Sequence, residues 1–310
     1  MKKAFTLIEM VVTIVILGVL SAGTFVSLQH LYLRMAKSKA VSELSFESQM
    51  IVDQISALMY DRVPSSVIGY NSNVPEFQSI YAIDGNFTIL EWIGTASEAY
   101  KMRFYSGFID MDASQNTSFR LSSAGISKPL MDALMVQKFG TGTTSHMGLV
   151  FAGSFDDGAI YYSNEFNTSF GWHGNTASKI FAFTPQMDGN ISLITKPDEI
   201  FEKYYIVDTA YAVARGADIT LATCPDANMS VNDNTLLLFY DYRPWSGETF
   251  CGDKGVFGGV RAGKVTILSN SASGFQAGVI NGSIYFNLTL ERIVRGSENT
   301  ITISKQKAVY

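Results

Sequence analysis

Residues 10–28 contain no charged side chain, and they follow one acid, Glu9, and two lysines, Lys2 and Lys3. As an α-helix at 1.5 Å per residue this run reaches roughly 28 Å, about the thickness of a bilayer's hydrocarbon core. No proline occurs before Pro64, and the only earlier glycines are Gly18 and Gly23. The expectation is one continuous helix, apolar in its first half and amphipathic in its second. The remainder of the chain reads as a separate β-rich body carried on that stem, an α+β organisation.

Three readings compete for residues 1–28. One is a secretory signal, with Ser21-Ala22-Gly23 as the cleavage region. A second is a plain single-span anchor. The third begins with Glu9, because an ionised carboxylate among apolar residues costs several kcal/mol unless a partner neutralises it. A signal or an inert anchor has no use for that cost. It makes sense if another molecule supplies a positive charge.

The residues Lys2-Lys3-Ala4, Phe5-Thr6-Leu7-Ile8-Glu9 and the long apolar run resemble the N-termini of type IV pilins and of the pilin-like proteins of type II secretion. The resemblance covers about the first 30 residues. It implies cleavage by a prepilin peptidase between Ala4 and Phe5, and N-methylation of Phe5. It also implies that Glu9 pairs with the Phe5 amino group of a neighbouring subunit, which offsets the desolvation of both charges and sets the stagger between subunits. Two departures stand out. The family usually has Gly where this chain has Ala4, and many major pilins carry a proline within the apolar helix. Gly18 and Gly23 serve either to loosen the helix on assembly or to allow close helix packing.

The implied organisation is a leader at 1–4, a membrane and filament-core half at 5–28, an amphipathic half at 29–63 and a head at 64–310. Lys2 and Lys3 precede the apolar run, so the positive-inside rule puts the N-terminus in the cytoplasm. The head is then periplasmic or extracellular, where disulfides persist. A Cys224–Cys251 bridge is expected, with two buried thiols as the alternative. No histidine stands near either cysteine at metal-ligand spacing.

Composition excludes some functions. Of 310 residues, 47% are apolar and 16% charged, which rules out bulk disorder. The net charge is -5 and no basic block appears, so nucleic acid is not the expected ligand.

Leu31, Met35, Leu44, Met50, Ile51, Ile55, Leu58 and Met59 supply an apolar surface along the second half of the stem. The head covers it on one side and neighbouring stems on the other. Pro64 ends the helix. The head suggests strands at 79–83, 87–93, 101–109, 148–155, 179–184 and 190–194, and more clearly at 202–214, 235–242, 264–268, 283–291 and 300–305. Within 283–291, Ile284, Phe286, Leu288 and Leu290 alternate with polar or aromatic neighbours, and Asn281-Gly282 signals a hairpin. Residues 129–139 read as a helix, and 140–147 and 164–178 as loops.

Catalytic patterns are missing. His30, His146 and His173 show no zinc-hydrolase spacing and read as surface residues, and there is no nucleophile elbow or phosphate loop. Asp226, Asn228 and Ser230 place oxygens at alternate positions, as calcium loops do. Val231 stands where such loops need glycine and Leu237 where they need a bidentate Glu, so a solvated turn is preferred to calcium. No other cofactor is expected.

The expected function is structural: a minor pilin or minor pseudopilin. Its partners are the peptidase, other pilin-like subunits and the inner-membrane assembly platform. Type II secretion is preferred to a type IV pilus, and Glu9 argues against the tip-type pseudopilin class that lacks this acid. The alternative is a pilin-anchored adhesin or substrate-binding head that uses aromatics near Tyr161, Tyr162, Phe166, Phe170 and Trp172, or near Tyr240, Tyr242 and Trp245. An anchored exported enzyme is a remote third reading.

Overall fold

The computed structural model describes residues 6–71, 77–81, 86–115, 120–140, 146–155, 169–175, 178–222, 224, 229–252, 258–294 and 299–310. Helix α1 runs unbroken over Leu7–Tyr60, 54 residues, or about 81 Å. Its start is a capping box: the Thr6 hydroxyl accepts from the Glu9 amide, and the Glu9 carboxylate accepts from the Thr6 amide. Its end is held by strand β3 (Ile89–Thr95), where the Thr95 amide and hydroxyl both donate to the Asp61 carbonyl, at 2.7 and 2.8 Å.

The two halves of α1 differ completely in burial. Every residue from Thr6 to Tyr32 is exposed. Farther along, Leu44, Ile51, Val52, Ile55 and Met59 are buried, at the three- and four-residue spacings that keep one helical face inward. Burying five such side chains contributes on the order of 10 kcal/mol before the entropy of ordering them. Leu31, Met35 and Met50, read from the sequence as part of the apolar surface, stay more than half exposed.

The head is built around strand β9 (Tyr204–Arg215), which is buried along most of its length. One side of β9 pairs with β3. The other side is shared: its first part pairs with β6 (Gly148–Phe151), its later part with β10 (Leu236–Tyr242). The sheet therefore branches. From β3 it continues through β1 (Ile68–Tyr70) to β2 (Gln78–Ser79). From β6 it continues through β7 (Ile180–Pro185), β8 (Asn190–Leu193) and β5 (Arg120–Ser122) to β4 (Asp110–Gln115). From β10 it passes to β13 (Lys264–Ser269). Every pairing in this sheet is antiparallel.

A second antiparallel sheet comprises β14 (Ala272–Ile280), β15 (Ser283–Ile293) and β16 (Thr300–Val309). Asn281 and Gly282 join β14 to β15 with φ of 50° and 78°, the left-handed pair a tight hairpin needs. Ile284, Phe286, Leu288 and Leu290 are fully buried and pack with Leu44, Ile51 and Ile55 of α1. The stem is thus bolted to the head through β14–β16 and the β3–β9–β10 face. A short parallel pair, β11 (Glu248–Phe250) and β12 (Val260–Ala262), lies beside β10. Helices α2 (Ser97–Lys101) and α3 (Lys128–Phe139) cover the β6–β8 wing around Met131, Leu149 and Phe183.

Several expected elements differ. Residues 101–109 are not a strand: α2 ends at Lys101, and the chain then turns through Arg103 and Gly107, whose φ of 60° and 79° are incompatible with extended pairing. The strand expected at 148–155 stops at Phe151, and residues 152–155 form a 3-10 turn. At 79–83 only Ser79 is in a strand; Ile80 and Tyr81 turn, and 82–83 lie outside the described residues. Strand β14 has no counterpart in the sequence reading.

Cys224 and Cys251 are joined by a disulfide, with Cα atoms 4.8 Å apart across 27 positions. On the chain-entropy account a loop of that size contributes about 3.5 kcal/mol.

Candidate functional site: the stem and its anchorage

The exposed half of α1 determines what this chain can do. Its mean hydropathy reaches 2.3 over an 18-residue window, and no residue of that window is buried by the head. A helix that is apolar all round and left uncovered by the described residues requires lipid or other helices around it. Length and composition suffice to cross a membrane.

Glu9 sits in the first turn of this helix. Its Oε2 accepts from the Thr6 amide and hydroxyl, both at 2.9 Å. The carboxylate therefore satisfies two donors at the helix start, where partial positive charge gathers. One carboxylate oxygen faces no described partner, so the cap leaves Glu9 able to accept a further donor. Ala4 and Phe5 lie outside the described residues.

Farther along, a row of polar contacts registers the helix against the head. Arg292 reaches Glu43 at 2.9 Å and Glu47 at 3.1 Å, and the Ser269 hydroxyl donates to Glu47 at 2.6 Å. Lys305 donates to the Ser45 carbonyl and the Gln49 side chain, and Lys307 pairs with Asp53 at 2.7 Å. Lys307 and then Gln49 hold the Asp53 carboxyl below its ordinary value. These pairs are exposed or half-buried and individually weak. Their alternation with the buried Leu44–Met59 face fixes rotation and axial position together. On the opposite side Phe46, Met50 and Tyr60 are left bare, at 72%, 52% and 78% exposure.

Two buried acids in the head had no place in the sequence reading. Glu91, in β3, is fully buried. It accepts from the Tyr70 hydroxyl at 2.8 Å and the Tyr242 hydroxyl at 2.7 Å, and His173 Nε2 lies 2.9 Å from it. His173 is accordingly buried, not a surface residue as the glycine-rich context suggested. It is held at φ 52° between Tyr70 and Phe77. Asp208, in β9, is buried beside Lys138 of α3, at 2.6 Å, and Lys138 also reaches Glu98 at 3.0 Å. Burial pushes the Asp208 carboxyl up, against the pull of Lys138. Burial works against the Lys138 charge, but Asp208 and Glu98 together raise its pKa. Both acids interrupt apolar strands, Ile-Leu-Glu-Trp-Ile and Ile-Val-Asp-Thr-Ala, and that interruption was the available signal.

The other nominated residues are scattered. His30 is exposed on the stem. His146 is half-buried, stacked on Phe139 and in contact with Arg243; burial first, then Arg243, lowers its pKa. Ser230 is exposed, while Asp226 and Asn228 lie outside the described residues, as do Tyr161, Tyr162 and Phe166. Phe170, Trp172 and Tyr242 are core residues, and Trp245 packs against that core. Among the described residues no three His, Cys, Asp or Glu side chains are placed to hold a metal.

Residues 1–25 match the family model for the prokaryotic N-terminal methylation motif. No curated protein and no solved structure matches the chain. The motif and the uncovered apolar helix coincide, and together they mark the chain as type IV pilin-like. A motif of this kind implies processing by a prepilin peptidase and assembly with other pilin-like subunits.

Proposed function

We propose that this chain is a minor pilin or minor pseudopilin, anchored in the bacterial inner membrane by residues 5–28 and drawn from there into a filament. The observation that carries the proposal is the methylation motif running directly into a helix whose first half none of the described residues covers. In this reading residues 1–4 are the leader, Ala4 and Phe5 flank the cut, and Phe5 carries the methyl group. Residues 29–63 form the amphipathic half of the stem, and 64–310 form a head outside the membrane. The lysines at 2 and 3 and the Cys224–Cys251 bridge support that orientation.

Glu9 is the assembly residue. In the free chain its carboxylate is occupied by the Thr6 donors. In the filament it additionally receives the Phe5 amino group of a neighbour, so each buried charge meets its opposite. The bare Phe46, Met50 and Tyr60 side chains offer a face for adjacent subunits farther out. The head is large relative to the stem, which favours a minor subunit, and type II secretion is preferred to a type IV pilus.

A Glu9→Ala variant tests the proposal. It is expected to insert into the membrane in normal amount and to be missing from sheared or cross-linked filaments. Normal incorporation would refute the pairing. Deleting the gene and scoring protein secretion and surface fibres separately assigns the system.

A further inference from the structure

The far end of α1, about 80 Å along the helix from Leu7, opens into two adjoining hollows of about 360 and 560 Å³. They share Tyr100, Lys101, Tyr105 and Ser106, and each volume suits a small ligand. Their walls combine three features.

The first is a flight of aromatic rings. Tyr100 is 54% exposed at the lip. Its ring centroid is 5.6 Å from that of buried Tyr105, which is 5.8 Å from that of Tyr204. Phe108 and Tyr60 stand exposed beside them.

The second is positive charge on an acidic chain. Arg62, Lys101, Arg103 and Lys203 line the hollows against one carboxylate, Asp61, which is taken up by Lys101 at 2.9 Å. Among the described residues neither Arg103 nor Lys203 is ion-paired, and Lys203 lies over the Tyr205 ring at 5.3 Å. Arg62 Nε is buried and has no hydrogen-bond partner among the described residues. Arg103 is held at φ 60°, a backbone conformation that side chains of its kind rarely adopt.

The third is a floor whose main chain is tied down at three points. The Tyr204 amide donates to Gly107, the Ile109 amide to Glu202 and the Ala152 amide to Lys203. At these three points the main chain is already engaged and offers nothing to an extended peptide that binds by adding a strand. Recognition falls to side-chain rings, hydroxyls and cations.

We infer that this groove binds a carboxylated oligosaccharide. The C–H face of a pyranose ring lies against the negative face of Tyr100 or Phe108. Its carboxylate meets Arg103 or Lys203, and its hydroxyls meet Thr95, Ser97 and Ser106 on the walls. A nucleic-acid strand would use rings and cations too, but it needs a longer basic track than two hollows provide. The site joins the end of the stem, at Tyr60, Asp61 and Arg62, to the head, and its binding is read on the unassembled chain.

The test uses the full chain in detergent, titrated with an oligogalacturonate, its neutral methyl ester, an oligoglutamate and an oligothymidylate. Saturable binding of the oligogalacturonate is expected, weakened by added salt. Tyr100→Ala and Arg103→Asn should each weaken it about tenfold or more, with the melting temperature kept near that of the parent chain. Asparagine is chosen at 103 because it tolerates positive φ. The proposal is overturned by lack of saturable binding, by equal binding of the methyl ester, or by indifference to both substitutions. Equal or tighter binding of the oligoglutamate or oligothymidylate also overturns it.

Discussion

Replacing Glu91 with leucine tests how the head is held together at its centre. The carboxylate is fully buried and receives the hydroxyls of Tyr70 and Tyr242 at 2.8 and 2.7 Å, with His173 at 2.9 Å. Hydrogen bonds to a charged group contribute about 1.5–3 kcal/mol each. Two of them make Glu91→Leu cost about 4 kcal/mol, before any loss at His173. That is a large share of the roughly 5–15 kcal/mol that keeps a domain folded. The assay is urea unfolding of the detergent-solubilised chain, with intrinsic fluorescence following the head. A Glu91→Leu, Tyr70→Phe, Tyr242→Phe triple variant removes the two donors along with their acceptor. It is expected to recover about half the loss, because an apolar cluster leaves fewer buried groups unsatisfied. A single variant within about 1 kcal/mol of the parent, or a triple variant no more stable than the single, would refute the reasoning.

Lys138→Met leaves Asp208 buried without its cation and is expected to cost about 3 kcal/mol in the same unfolding experiment. Asp208→Asn combined with Lys138→Met should be less damaging than Lys138→Met alone, which a double-mutant cycle reads directly. His146 has a folded pKa below its ordinary 6.5, so the unfolded chain takes up the proton first. Head stability is therefore expected to be full above pH 6.5 and to fall as pH drops through the folded value. His146→Gln should flatten that part of the profile, as followed by thermal melts across the pH range.

Much of the stem was legible because its signals are local. A charge-free run, the absence of any earlier proline and Pro64 itself predict an unbroken helix and its end. β15 was legible for the same reason: Ile284, Phe286, Leu288 and Leu290 alternate cleanly, and Asn281-Gly282 is the turn such a hairpin requires. β14 was not, since Ala272-Ser-Gly-Phe-Gln-Ala-Gly has too few large apolar side chains to show a period, and its place is set by pairing with β15. Residues 101–109 look like a strand by their aromatic content, but two left-handed positions turn the chain there and place Tyr105 in the groove. The groove joins residues near 62, 103 and 203, and no one-dimensional pattern links them. His173 was misread because its glycine-rich neighbours suggest a surface loop. Only the fold brings Glu91 beneath it.

The central claim is that residues 1–25 are a processed assembly signal and not an inert anchor. Mass spectrometry of the N-terminal peptide of the membrane-extracted chain tests it most directly. The expected result is a chain beginning at Phe5, with one methyl group on its amino nitrogen. An intact Met1, or a chain beginning after Ala22, would contradict it.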